Sequence, residues 1–202
     1  MGRRSDTKQK LLDAAFELIW ENSYGGVSVD EICEAAKVHK GSLYHFFRTK
    51  EDVAVSACEN HWETGQPGMD RLFSPQVTPL ERLSKWCGHV YQTQKDKSEK
   101  YGRVCGCAIA SIGIEVATRQ EKIRIKAEEL MSRNISYLES AISAAKREGL
   151  VAVENPNAAA QQVFCFVVGM LVQAKIQNDV EVLHNLEPTV MAIIGVKTSV
   201  PA

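Results

Sequence analysis

Between Ser28 and Phe47 the chain reads SVDEICEAAKVHKGSLYHFF, and the reading of that stretch decides the fold. Ser28-Val-Asp-Glu31 has the spacing of a capping box, in which the serine hydroxyl takes the Glu31 backbone N–H and the Glu31 carboxylate returns to the backbone N–H of Ser28. A helix over about 29–36 should follow, burying Ile32, Ala35 and Ala36. Lys37-Val38-His39 is a turn-length connection, after which Lys40-Gly-Ser-Leu-Tyr-His-Phe-Phe47 makes a helix of about two turns. Leu43 and Phe47 stand four apart and face inward, leaving Lys40, Tyr44 and His45 outward. Two helices joined by three residues, the second short and basic, have the spacing of a helix-turn-helix over about 29–48; an ordinary three-helix core has it too.

Charge is compatible with the first reading, although a solvated basic face is the ordinary explanation of a basic run. The whole chain carries a formal net charge of -1, which argues against indiscriminate coating of nucleic acid, yet from Lys37 to Lys50 there is no acid at all. That run contains Lys37, Lys40, Arg48 and Lys50 with His39 and His45, and Arg3 and Arg4 add a second basic spot. Lys37, His39, Lys40 and His45 can donate to phosphates or base edges, and Tyr44 can present its hydroxyl to a phosphate. Gly41 and Ser42 keep the leading turn slim enough for close approach, while Ser28 and Lys50 lie at helix starts whose backbone amides favour an anion.

Outward from this centre the apolar period is helical nearly everywhere, so the expected fold is all-α with about nine helices. With 202 residues, 45% of them apolar, a folded core in two domains is expected. Ser5 or Asp6 can cap a first helix of about 6–23 that buries Leu11, Leu12, Ala15, Ile19 and Trp20 and ends at Gly25-Gly26. A fourth helix starts near Thr49 and should kink or stop at Gly65-Gln-Pro67-Gly68, which sets the domain boundary: 6–66 and 67–202. Thr78-Pro79 opens a helix to about Lys97, and a loop containing Cys105-Gly-Cys107 enters a short helix to about Ala117. A long helix of about 120–148 stops at Gly149; one of about 157–178 is apolar almost all round; a last one is bent or begun at Pro188. The longest apolar run, Val163–Val172, is about half of what a bilayer requires, and no secretory signal is evident, so the expected location is the cytoplasm, on the nucleoid, with no membrane partner.

The residues from Ser28 to Glu31, then AKVHKGSLYHFF from Ala36 to Phe47, and Lys50-Glu51 resemble the pattern of TetR/AcrR-type transcriptional regulators over about residues 6–66. The resemblance implies a three-helix DNA-binding domain, a helical domain for dimerisation and ligand, two-fold operators in double-stranded DNA, and repression relieved by a small-molecule effector. Gly106-Cys107, Glu115 and Val172-Gln-Ala-Lys175-Ile are similar to the subgroup that includes the repressor of N-ethylmaleimide reductase. That likeness implies an electrophile-sensing cysteine at Cys107 with Lys175 cooperating. The sequence departs from that subgroup around Gly65–Gly68 and by carrying Cys105.

Three signals stay open. A noncovalent effector would sit in a helix-lined pocket, with Trp86, Tyr91, Tyr137, Phe164 and Phe166 as walls. A thiol switch would use Cys107, whose thiolate a nearby lysine ammonium and the helix start after Gly106 would favour. A metal would need Cys87-Gly-His89 with Cys105-Gly-Cys107, spacers shorter than zinc ligand pairs commonly have. No metal or other cofactor is expected, and a packed thiol is the plain alternative for each of the six cysteines. No phosphate-cradling glycine loop, nucleophile elbow or His-Glu-x-x-His pair suggests an enzyme. A homodimer through the last two helices would hold two recognition helices about one DNA turn apart or a multiple of it.

Overall fold

The computed structural model describes residues 2–196, with side chains from residue 6. The described residues form nine α-helices and a 3-10 segment: α1 (Gly2–Asn22), α2 (Val29–Ala36), α3 (Lys40–Phe46), α4 (Lys50–Leu72), α5 (Pro79–Tyr101), α6 (Ala108–Val116), α7 (Glu121–Arg147), α8 (Pro156–Gln177), the 3-10 segment Val180–Asn185, and α9 (Leu186–Ile193). Among them the only β-type pairing is one bridge between Val151 and Val196. Two compact units result: the chain up to Gln66 with Cys107–Met131, and Pro67–Gly106 with the chain from Ser132. The boundary falls inside α4 and inside α7.

In the first unit, α1 supplies Leu11, Leu12, Ala15, Phe16, Ile19 and Trp20 to a core completed by Ile32, Leu43, Phe47, Val53, Ala57, Ile112 and Ile123. The sequence reading of α1 needs two corrections. The helix already runs from Gly2, so neither Ser5 nor Asp6 caps it; the Asp6 carboxylate instead pairs with Lys10 one turn on, 2.7 Å away. Its left-handed exit residue is Ser23 at φ 75°, not a glycine. In α2 the buried stripe runs through Ile32, Cys33 and Ala36, while Ala35 is exposed. The stripe thus turns by one residue from the expected one, because positions i, i+1 and i+4 share that face.

The fourth helix neither stops nor starts afresh at residues 65–68; it continues through Pro67 to Leu72. Proline removes one rung of the ladder, but residues 63–67 are exposed, so water can take the carbonyl left without a donor. Beyond the proline, in the second unit, Phe73 and Tyr137 set their rings 5.2 Å apart and the Tyr137 hydroxyl donates to the Asp70 carboxylate.

The second unit is built on α5, α8, α9 and the 3-10 segment. Buried Arg82 donates to the carbonyls of Val77 and Pro75, 2.8 and 3.3 Å, and so fastens the loop that leads into α5. Buried Gln94 makes a two-pronged contact with Gly106, donating to its carbonyl at 3.1 Å and accepting its N–H at 2.8 Å. Asn178, left-handed at φ 51° after the end of α8, accepts the Val104 N–H at 2.9 Å. Gly106 has φ 73°, and a Cβ there would lie 3.3 Å from the Leu171 carbonyl oxygen, so both conformation and space require glycine.

The helix α8 is 22 residues long and meets the length and composition of a bilayer span, although the unbroken apolar run inside it is shorter. Ala159, Ala160, Val163, Val167, Leu171 and Ala174 are buried where the helix packs on the 3-10 segment and α9. The other side is open, with Val172 37% and Ile176 79% exposed. Gln94→Ala should remove both of its bonds to the buried Gly106 backbone and lower stability by about 2 kcal/mol, read as a fall in the urea midpoint.

Candidate DNA-binding surface and its anchors

The capping box forms as read. Ser28 is extended at φ -94°, its hydroxyl accepts the Glu31 N–H at 3.1 Å, and the Glu31 carboxylate accepts the Ser28 N–H at 2.7 Å. Hydrogen bonding of the carboxyl to the Ser28 side chain and to the Ser28 backbone N–H holds the Glu31 carboxyl below its ordinary value. The turn after α2 is made by Lys37 in the left-handed region at φ 55°, whose N–H returns to the carbonyls of Cys33 and Glu34. His39 then stands at the N-cap of α3 with no side-chain capping bond.

Leu43 and Phe47 are buried, and this fixes the face of α3 that remains outside. His39, Lys40, Gly41, Tyr44 and His45 are exposed on it, and Ser42 is half-buried. A Cβ on Gly41 would meet nothing within 4 Å, so the leading turn has open space before it. The Tyr44 side chain stands out at 51% exposure, the His45 ring leans on Phe46 at 5.2 Å, and Lys40 pairs with Asp30 at 2.8 Å. Lys37 is exposed at the end of α2. Arg3 and Arg4 fall in the first turn of α1, and their side chains lie outside the described residues.

Lys50 turns inward. Its ammonium donates to the Tyr24 carbonyl at 2.5 Å and lies 4.2 Å from the centre of the Tyr24 ring. Burial lowers its pKa, with Glu115 and Glu31 opposing that shift. From α6, Glu115 takes the N–H groups of Tyr24 and Gly25 at 2.8 and 2.6 Å. A Cβ on Gly25 would lie 2.7 Å from the Glu115 Oε1. This glycine therefore serves close approach rather than helix termination. Two lysines of α7 reach α4: Lys122 pairs with Asp52 at 2.6 Å, and the partly buried Lys126 with Glu59 at 2.7 Å. The anchoring roles of Tyr24, Glu115, Lys122 and Lys126 have no signal in local periodicity, since every partner is distant in the chain.

The structure places the residues proposed for a sensor on several elements. Trp86 is buried on α5, while Phe164 and Phe166 are half-buried on α8. Tyr91 donates to Glu181 at 3.2 Å with its ring 4.7 Å from His184, and Tyr137 has the separate partners Asp70 and Phe73. In the first unit a void among Val55, Cys58, Ile109, Ile112, Ile123 and Ala127 measures about 10 Å³, room for one water at most. Cys107 is the N-cap of α6, and its sulfur accepts the Ala110 N–H at 3.4 Å. Burial pushes the thiol up, against the pull of the backbone N–H groups of Ala110 and Ile109. On α8 Lys175 is exposed, and its stem lies close over Gly106, 3.2 Å from where a Cβ would be. Among the described residues no three His, Cys, Asp or Glu side chains gather as a metal would require, so the pairing of Cys87-Gly-His89 with Cys105-Gly-Cys107 is not realised.

Comparison with known proteins adds to this geometry. Residues 11–57 match the bacterial regulatory proteins of the tetR family, and residues 79–190 match the tetracyclin repressor-like C-terminal domain. The HTH-type transcriptional repressor NemR of Escherichia coli is 27% identical over 192 residues, 94% of either chain. The transcriptional regulator AcuR of Cereibacter sphaeroides is 28% identical over 185 residues, 90% of this chain and 82% of that one. In structure, the reduced form of E. coli NemR superposes with a TM-score of 0.82 at 26% identity, covering 96% of this chain and 99% of the other.

The Asp52 carboxyl sits below its ordinary value because Lys122 and Thr49 donate to it. Its contribution to stability is therefore present above the unfolded value and lost as pH falls through the lower folded one. Asp52→Asn should flatten the acid limb of a melting-temperature profile, followed by circular dichroism, and leave the neutral limb parallel to the parent.

Proposed function

The chain belongs to the tetR family of bacterial regulatory proteins, DNA-binding transcriptional repressors, and from that premise we propose that it grips a two-fold operator in double-stranded DNA with α3 and lets go when a small-molecule effector acts on the helices beyond. The observation that carries this reading is the acid-free outer face of α3, which presents His39, Lys40, Gly41, Tyr44 and His45 while Leu43 and Phe47 hold the opposite face in the core. A rigid helix with slim residues at its leading end can enter the major groove. His39, Lys40 and Ser42 read base edges; Lys37, Tyr44, His45, Ser28 and the Arg3-Arg4 pair hold phosphates. The inward ammonium of Lys50 supports the anchored end of α4 beside the DNA rather than a long reach to phosphate. Residues 6–66 form the DNA-binding domain and 67–202 the sensing and dimerising domain. The regulator works in the cytoplasm, on the nucleoid, and has no catalytic role.

A second copy covers the open side of α8 and α9. Val172 and Ile176 are the exposed apolar residues of that side, and burying them across a two-fold axis sets two α3 helices about one DNA turn apart or a multiple of it. An effector tilts α4 and changes that separation, acting only through its different affinity for the two states.

A thiol switch is the second reading. The closeness of the Lys175 stem to Gly106, next to Cys107, favours it, as does the likeness to a repressor whose reduced form has been solved. The raised thiol means that Cys107 waits protonated, so an electrophile would meet a slow nucleophile at neutral pH and a faster one as pH rises.

Three outcomes test these readings. Lys37→Gly keeps the left-handed backbone and removes the charge; it should leave melting unchanged and reduce the salt slope of operator binding by about one. Ile176→Glu should convert dimer to monomer in light scattering and abolish operator binding at the same concentration. For the signal, fluorescence anisotropy on DNA from upstream of its own gene, before and after N-ethylmaleimide, should show release of the parent and retention of Cys107→Ser. Retention of both eliminates the thiol switch and leaves the noncovalent effector.

A further inference from the structure

One peptide of the first unit is gripped from both ends. The Gly25 N–H donates to Glu115 of α6, and the carbonyl of the same peptide, that of Tyr24, accepts from Lys50, the first residue of α4. Glu115 also takes the preceding N–H, that of Tyr24, so a carboxylate and an ammonium lie on opposite sides of the loop between α1 and α2. That loop runs directly into Ser28, the cap of α2, while Lys50 follows α3 by a few residues. The start of α2 and the exit from α3 are thereby tied to a single peptide, and α6 holds that peptide.

We propose that Glu115 is a positioning residue for operator recognition: through the Tyr24–Gly25 backbone it sets the pose of the helix-turn-helix, and a shift of α6 along its axis is felt there first. Two charge-assisted bonds to adjacent N–H groups fix both the distance and the direction of the loop, which one neutral bond would not. Gly25 belongs to the same device. A methyl group there would lie 2.7 Å from the carboxylate oxygen, the movable end of a flexible side chain, so the carboxylate swings away while the fold stays. A glycine-to-alanine change therefore breaks the contact from the other side.

The inference rests on the DNA-binding reading, and the experiment separates the two. Glu115→Ala, Gly25→Ala and the double variant are compared with the parent on an operator duplex that the parent enriches from a random library, and on a random duplex of equal length. Amide hydrogen exchange at Tyr24 and Gly25 is followed in parallel. Each single variant should exchange faster at those amides and bind the operator about tenfold more weakly, with random-duplex binding unchanged and the protein still folded in a melting curve at the temperature of the assay. The double variant should be no weaker than either single one, because both remove one contact. Operator affinity within twofold of the parent despite faster exchange overturns the positioning role, as do additive losses in the double variant. Equal loss on operator and random duplex overturns it as well, since that would mark a general phosphate contact rather than a pose.

Discussion

The first unit depends on the placement of one backbone peptide, that of Tyr24. A loop between two helices has few bonds of its own; this one contains two glycines and a serine in the left-handed region, and its local bonds are the Ser23 N–H to the Ile19 carbonyl and two long ones, Gly26 N–H to the Ser23 hydroxyl and Val27 N–H to the Tyr24 carbonyl. Rigidity comes from Lys50 and Glu115, whose opposite charges lie on the acceptor and donor sides of the same Tyr24–Gly25 peptide. The half-buried ammonium is tolerable because it has a carbonyl, an aromatic face and two carboxylates nearby. With the loop fixed, the capping box starts α2 in one direction, and the packing of Leu43 and Phe47 rotates α3 so that its basic face stays outside.

Further along, the same unit uses ion pairs where the loop uses backbone bonds. Lys122 and Lys126 stand one turn apart on α7 and meet Asp52 and Glu59, which stand seven apart on α4. The two spacings bring a basic edge of one helix against an acidic edge of the other. Exposed pairs of this kind add little to stability singly, but they select one lengthwise register for the two helices. In the second unit the equivalent work falls to neutral groups: Gln94 and Asn178 stitch the loop around Gly106 to α5 and to the end of α8.

Most of this fold was legible in the sequence, because helical period, caps and turn residues are local. The capping box at Ser28, the proline start of α5, and the stops at Gly149 and Asn178 are set by neighbours within one turn. The outward face of α3 was legible for the same reason. Lys50 was read only as an anion-favouring helix start, and its contact with the Tyr24 carbonyl gave no local signal because that residue lies 26 positions earlier. Gly25 was read as a helix stop, whereas its smallness answers a carboxylate 90 residues away. Pro67 looked like a break because its effect on the ladder is local, while the contacts of Asp70 and Phe73 that carry the helix onward come from α7.

That proline gives α4 an uneven stiffness. A regular helix resists bending because every carbonyl along it is held by a donor one turn ahead. At Pro67 one such tie is missing, on exposed backbone and beside Gly65 and Gly68, which add neither side-chain packing nor helix propensity. The missing tie falls where one compact unit gives way to the other. Bending α4 therefore costs less at this point than along the regular turns on either side of it.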